Sequence, residues 1–80
     1  MRDPNAPSWF DGTILFPASD RERDTVRHAQ RVMRLDDTGE MDDNTRAALR
    51  ALQSLFRIKV TGTLDLATAL KIEQIRNRFA

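Results

Sequence analysis

A spacing of 23 residues recurs along this 80-residue chain and constrains its fold more than any other feature. It relates three sets of apolar residues, which are Val26, Leu49 and Ile72; Ala29, Leu52 and Ile75; and Met33, Phe56 and Phe79. In each copy these positions fall at i, i+3 and i+7, the pattern of a helix with one apolar face. A short repeat that cannot bury its own face must stack on its neighbours. The spacing therefore predicts an all-α fold of three similar helices.

Residues that favour the start of a helix precede each apolar stripe by seven positions: Ser19, Asp42 and Asp65. Their side-chain oxygens can accept hydrogen bonds from the free N–H groups of a first helical turn. Ser19 and Glu22 also have the spacing of a capping box. We therefore predict a compact three-helix bundle with helices over about residues 20–34, 43–57 and 66–78.

The first 18 residues differ in kind from the repeats. Proline and glycine interrupt them at Pro4, Pro7, Gly12 and Pro17, and their large apolar residues are Trp9, Phe10, Ile14, Leu15 and Phe16. Proline and glycine exclude a continuous helix here, but large apolar side chains favour burial. We expect residues 1–6 to be flexible and residues 7–18 to form an irregular arm packed over the helices. Residues 7–80 would then form a single domain.

The composition excludes several kinds of site. There is no cysteine and only one histidine, so disulfides, thiolate nucleophiles and histidine-rich or cysteine-based zinc sites are not expected. We predict no metal or other cofactor. The 13 basic and 12 acidic residues nearly balance, which does not favour a nucleic acid as partner. No apolar run is long enough to span a membrane, and the N-terminal residues lack the apolar stretch of a secretory signal.

The second and third copies agree beyond their apolar positions. The chain contains Val26-x-x-Ala29-Gln30, then Gly39-x-Met41-Asp42-x-x-Thr45-x-x-Ala48-Leu49-x-x-Leu52-Gln53, then Thr61-Gly62-x-Leu64-Asp65-x-x-Thr68. This pattern resembles the peptidoglycan-binding-domain family over about residues 7–75. The N-terminal Trp9-x-x-Gly12-x-x-Leu15 is similar to the lead-in of copies found in phage lytic enzymes. The chain departs from the family at Ala29 (Leu), Leu52 (Phe), Asp42 (Gly) and Arg57-Ile58 (Gly-Leu), the family's usual residue being in parentheses.

The resemblance implies a non-catalytic three-helix module that binds bacterial peptidoglycan or a polymer attached to it. Such modules position a lytic enzyme, such as a phage endolysin, or a wall or virion assembly. The implied partners are the cell wall and a catalytic domain or phage structural protein, and the implied location is the wall or a virion. An alternative is a protein–protein adaptor or structural component of a phage particle. A helix-turn-helix DNA-binding domain is less favoured, because it does not explain the paired turns.

Arginines and glutamines are the candidate binding residues. The predicted groove is lined by Arg27, Gln30, Arg31, Arg46, Arg50, Gln53 and Arg57, because guanidinium groups bind carboxylates and phosphates and amides bind sugar hydroxyls. The alternative for the arginines is an ordinary charged helix face. For Gln30 and Gln53 we favour a structural role, in which they bond to a loop backbone and fix one helix on another.

For three further groups of residues we favour a structural interpretation over a functional one. The acidic residues from Asp36 to Asp43 fit a solvated turn that caps the second helix, although paired carboxylates can serve a glycosidase. His28 lies off the apolar stripe and is expected to be exposed. Trp9 is expected in the core, although an aromatic ring can also stack on a sugar.

Overall fold

The three predicted helices are present. The structure, a computed structural model, describes residues 5–79 and only the backbone of Phe79. It contains α1 (Asp20–Val32), α2 (Asp43–Leu55) and α3 (Leu66–Phe79), with no strand within the described range. The all-α three-helix fold is therefore confirmed. Of the predicted flexible segment, residues 1–4 lie outside the described residues, and Ala6 packs against the core.

The helix starts follow from capping side chains. At α1 the Ser19 Oγ accepts a hydrogen bond from the Glu22 N–H at 3.1 Å. The Glu22 carboxylate accepts from the N–H of Ala18 at 2.8 Å, one residue earlier than in a standard capping box. Asp42 caps α2 in the same way as Ser19 caps α1, accepting from the N–H three residues on. Local hydrogen bonds thus set where these helices begin.

The first two helices end two residues earlier than predicted. In each case the second residue beyond the helix has a left-handed backbone conformation. Arg34 has φ +61° and Arg57 has φ +57°. The N–H of Leu35 bonds to the Gln30 carbonyl at 2.8 Å, which is the closing bond of a Schellman motif, and α2 ends in the same way. A residue in this conformation cannot continue a right-handed helix, so the chain turns away.

The core lies where the three helices place their apolar stripes. Val26, Leu49 and Ile72 are each no more than 1% exposed. The other stripe members at Ala29 and Leu52 are also buried, and Met33, Phe56 and Ile75 pack against the core while partly buried. The most extensive contacts between helices are those of α3 with α1 and α2. No helix of the described residues is long and apolar enough to cross a membrane.

The N-terminal arm is ordered from its described start and packs across the helices. Ile14 and Leu64 exchange two backbone hydrogen bonds of 2.9 and 3.1 Å as an isolated antiparallel bridge. Phe10 and Ile14 are buried in the core. Leu15 and Phe16, however, are 53% and 64% exposed, so the arm packs over the helices without burying all of its large apolar side chains. Ile14 is held inward by its bridge to Leu64, and the chain bends at Leu15 and Phe16, whose side chains face solvent.

Candidate functional site

A fully buried glutamine joins α1 to the turn before α2. The Gln30 Nε2 donates to the Thr38 hydroxyl at 3.0 Å, the Glu40 carbonyl at 3.0 Å and the Thr45 hydroxyl at 2.9 Å. Its Oε1 accepts from the N–H of Gly39 at 2.9 Å. The amide therefore satisfies a buried turn whose backbone would otherwise lack partners.

The second repeat reproduces this arrangement. The Gln53 Nε2 donates to the Thr61 hydroxyl at 2.9 Å, the Thr63 carbonyl at 3.1 Å and the Thr68 hydroxyl at 2.8 Å. Its Oε1 accepts from the N–H groups of Thr61 and Gly62, both at 2.9 Å. We call these two sets of hydrogen bonds, one centred on Gln30 and one on Gln53, the glutamine clasps. Both glutamines have the structural role that we favoured, and at 0% exposure neither side chain reaches the surface.

The capping aspartates complete each clasp. Asp42 accepts from the N–H and hydroxyl of Thr45 at 2.9 and 2.6 Å, and Asp65 accepts from the same groups of Thr68 at 3.0 and 2.6 Å. Hydrogen bonds from Thr45 hold the pKa of Asp42 below its usual range. Burial works to raise the pKa of Asp65, but the hydrogen bonds from Thr68 outweigh it and lower that pKa. Both carboxylates therefore have the ionised, capping role at neutral pH.

A left-handed backbone favours glycine in both turns, where arginine side chains lie against it. Gly39 and Gly62 have φ of +78° and +71°. A Cβ at Gly39 would lie 3.0 Å from the Arg27 Nε, and one at Gly62 would lie 3.2 Å from the Arg50 Nε. The 23-residue spacing therefore relates arginines as well as apolar residues, a signal that sequence reasoning missed.

The arginines of α1 are paired with carboxylates. Arg27 contacts Asp24 at 2.6 Å, and Arg31 contacts Asp37 at 2.8 Å across the end of the helix. The hydrogen bond from Arg31 and its positive charge lower the pKa of Asp37. The charges of these two candidate residues are thus compensated within the molecule, and both pairs face solvent, where such contacts contribute little to stability.

The arginines at α2 are different. Arg46, Arg50 and Arg57, which we call the α2 basic row, lie on the helix and just beyond its end. The Arg46 guanidinium lies 4.7 Å from the centre of the Phe16 ring, a cation–π distance. Within residues 5–79 the side chains of Arg50 and Arg57 have no ion-pair partner. The sequence between residues 44 and 64 contains no aspartate or glutamate that could supply one nearby.

A concavity of about 420 Å³ lies between the end of α1 and the start of α2. Its walls include Arg34, Leu35, Asp36, Asn44 and Ala47, beside the cap formed by the threonine and aspartate side chains of the first clasp. It contains none of the seven predicted groove residues. The sequence carries no local signal for it, because a concavity depends on how two helices meet.

An aromatic cluster holds the arm on α1 and α3. The Trp9 indole N–H donates to Glu73, which also accepts from Arg76 at 2.8 Å. The His28 ring lies 4.6 Å from the Trp9 ring, and its buried Nε2 has no hydrogen-bond partner in the described part of the chain. Burial, followed by the charge of Arg76, lowers the pKa of His28. His28 is therefore half-buried, and the expectation that it is exposed is wrong.

Among the described residues, no cluster of histidine, aspartate and glutamate side chains could hold a metal ion. No family model, curated protein or solved structure matches this chain.

Proposed function

We propose that this chain is a non-catalytic module that binds bacterial cell wall through the α2 basic row. The observation that carries the proposal is that the guanidinium groups of Arg50 and Arg57 lack a carboxylate partner among residues 5–79. Peptidoglycan offers peptide and lactyl carboxylates, and wall polymers offer phosphates. A planar guanidinium binds both groups with two parallel hydrogen bonds.

The glutamine clasps support the same proposal indirectly. The polar residues of the resemblance to peptidoglycan-binding domains are those that form the two clasps, namely the glutamine, the Thr-Gly turn and the Asp-x-x-Thr cap. The clasps hold the turns and helices rigidly, so the arginines of α2 are presented from a fixed scaffold. A binding surface on rigid elements loses less conformational entropy when a ligand binds.

The α1 arginines contribute less to this proposal. A wall carboxylate that approached Arg27 or Arg31 would have to displace Asp24 or Asp37. Gln30 and Gln53 are buried and belong to the scaffold. The proposed contact surface is therefore reduced from seven residues to the α2 basic row, and we expect weak binding by one module.

Cosedimentation with purified peptidoglycan sacculi tests the proposal. The double variant Arg50→Glu/Arg57→Glu should remain in the supernatant, whereas the unchanged protein should sediment with the sacculi. The control is Arg21→Glu/Arg76→Glu, which changes the net charge equally on exposed, ion-paired residues outside the predicted groove. An equal loss of sedimentation in both double variants would mean that net charge alone governs binding to the sacculi. If the unchanged protein does not sediment with the sacculi, the proposal is refuted.

A protein–protein adaptor is the second candidate, favoured by exposed apolar side chains near the basic row. Leu55 and Val60 are 76% and 52% exposed on either side of Arg57 in the sequence. Apolar groups beside arginine are typical of protein interfaces. Replacing both by serine should leave sedimentation with sacculi unchanged if the wall is the ligand. A DNA mobility shift at low salt addresses the helix-turn-helix alternative, because retention by DNA without retention by sacculi would favour it.

A further inference from the structure

The concavity at the α1–α2 junction contains free groups of opposite charge. Arg34 and Asp36 both line it, and neither side chain has an ion-pair or hydrogen-bond partner within the described range. The Asn44 amide lines it too and is equally unengaged among those residues. Most other arginines of the first repeat contact a carboxylate, so Arg34 differs from them in leaving its charge available to a ligand.

The remaining polar groups of the wall are already used. Thr38 donates to Asp42 at 3.2 Å, and Asp42 also accepts from Thr45 as the helix cap. The Asp42 carboxylate is thus held as the helix cap and makes no ion pair with Arg34, although its negative charge also lies on this wall. The half-buried Leu35 and the exposed Ala47 add apolar surface. A volume of about 420 Å³ falls in the range of small-molecule sites, about 300–1,000 Å³.

We infer that this concavity binds a small zwitterionic ligand, an amino acid or short peptide with a free ammonium and a free carboxylate. Arg34 would hold the carboxylate through its guanidinium, and Asp36 would accept hydrogen bonds from the ammonium. Asn44 can donate to or accept from a peptide group, and Leu35 and Ala47 can contact a small apolar side chain. A ligand with one charge would leave the other protein charge without a partner and should bind more weakly.

The second repeat supplies a comparison within the same molecule. At the spacing of 23 residues, Arg57 corresponds to Arg34, and Lys59 corresponds to Asp36. Both are basic, so the corresponding place in the second repeat lacks the carboxylate that an ammonium requires. The inference concerns the first repeat alone, and it does not depend on wall binding by the α2 basic row.

A titration of ¹⁵N-labelled protein with the dipeptide alanylalanine tests the inference. Amide resonances of residues 34–36 and 44–47 should shift with a saturable curve. N-acetyl-alanylalanine lacks the ammonium and alanylalanine amide lacks the carboxylate, so each should bind at least tenfold more weakly. Equal shifts with all three probes would overturn the zwitterion requirement, and no saturable shift with alanylalanine would overturn the site.

Two glycine variants separate binding from folding. Arg34→Gly removes the guanidinium at a left-handed position that glycine adopts without strain, so the variant should fold and lose at least tenfold in affinity. Arg57→Gly makes the same change in the second repeat and should bind the dipeptide as the unchanged protein does. Asp36→Asn should also weaken binding tenfold. Unchanged binding by Arg34→Gly, or equal losses in both glycine variants, would contradict the inference.

Discussion

Replacing Gln53 by leucine should destabilise the protein strongly, because it removes one glutamine clasp and keeps the side-chain volume similar. The buried N–H of Gly62 would lose its acceptor, which costs about 1–3 kcal/mol. The hydroxyl of Thr68 and the carbonyl of Thr63 would lose a donor, at a net cost of about 0.5–1.5 kcal/mol each. Thr61 is exposed, so water can replace its bonds. The loss should be about 2–6 kcal/mol.

This loss is large for a chain of 80 residues. A stability of about 0.05–0.15 kcal/mol per residue gives a total of about 4–12 kcal/mol. At about 4–8 °C per kcal/mol, the melting temperature should fall by at least about 8 °C. Urea unfolding followed by circular dichroism, together with the fluorescence of the single tryptophan, Trp9, gives the difference in free energy of unfolding.

Gln74→Leu is the matched control, because Gln74 is an exposed residue of α3 and undergoes the same chemical change. Its effect should stay within about 0.5 kcal/mol. Gln30→Leu should reproduce the loss at Gln53, since the two clasps make the same kinds of bonds. A loss below about 1 kcal/mol at Gln53, or one that equals the loss at Gln74, would refute the structural role of the clasps.

Three further predictions use the same unfolding measurement. Arg57→Gly should stabilise the protein by about 0.5–1 kcal/mol, because relief of a left-handed conformation (about 1–2 kcal/mol) exceeds the entropy cost of glycine (about 0.5–1 kcal/mol); destabilisation would contradict this. The pKa of His28 in the folded protein lies below its ordinary value of 6.5. The unfolded chain therefore binds a proton first as the pH falls below 6.5, and the stability that neutral His28 provides above that pH is lost as the pH falls toward the folded pKa. His28→Gln should remove the part of the pH dependence of the free energy of unfolding that begins as the pH falls through about 6.5, and an unchanged pH dependence would exclude this role. Asp65→Ala should lower the free energy of unfolding by about 1 kcal/mol at neutral pH. Because the pKa of Asp65 is lowered from 3.8, the stability difference between the variant and the unchanged protein should shrink only as the pH falls below 3.8. A stability difference already lost at about pH 5 would contradict the capping role of ionised Asp65.

Features that depend on local backbone chemistry were predicted well. Ser19, Asp42 and Asp65 mark the helix starts because a capping bond joins residues only three positions apart. The ends of α1 and α2 were predicted two residues late, since Arg34 and Arg57 carry no obvious stop signal. Their left-handed conformation would be expected of glycine, and here the chain accepts it at arginine.

The candidate site was predicted less well than the fold. Arginine content indicated anion binding, but only the contacts separate Arg50 from Arg31, whose charge Asp37 compensates. The structural role of Gln30 was anticipated from its place beside the stripe, without the number of bonds it makes. Ion pairing depends on distances of a few ångströms, and the spacing of residues along a helix does not determine these.

The sequence by itself determined the number of helices, where each one starts and which face is buried, because these follow from helical periodicity and from bonds between near neighbours. Only the tertiary structure decided that Trp9 reaches Glu73, 64 residues away, and that His28 is covered by the arm. It also decided that a concavity with two free charges lies between α1 and α2. Those features depend on how the helices and the arm pack against one another, which is settled by the shape of the whole core.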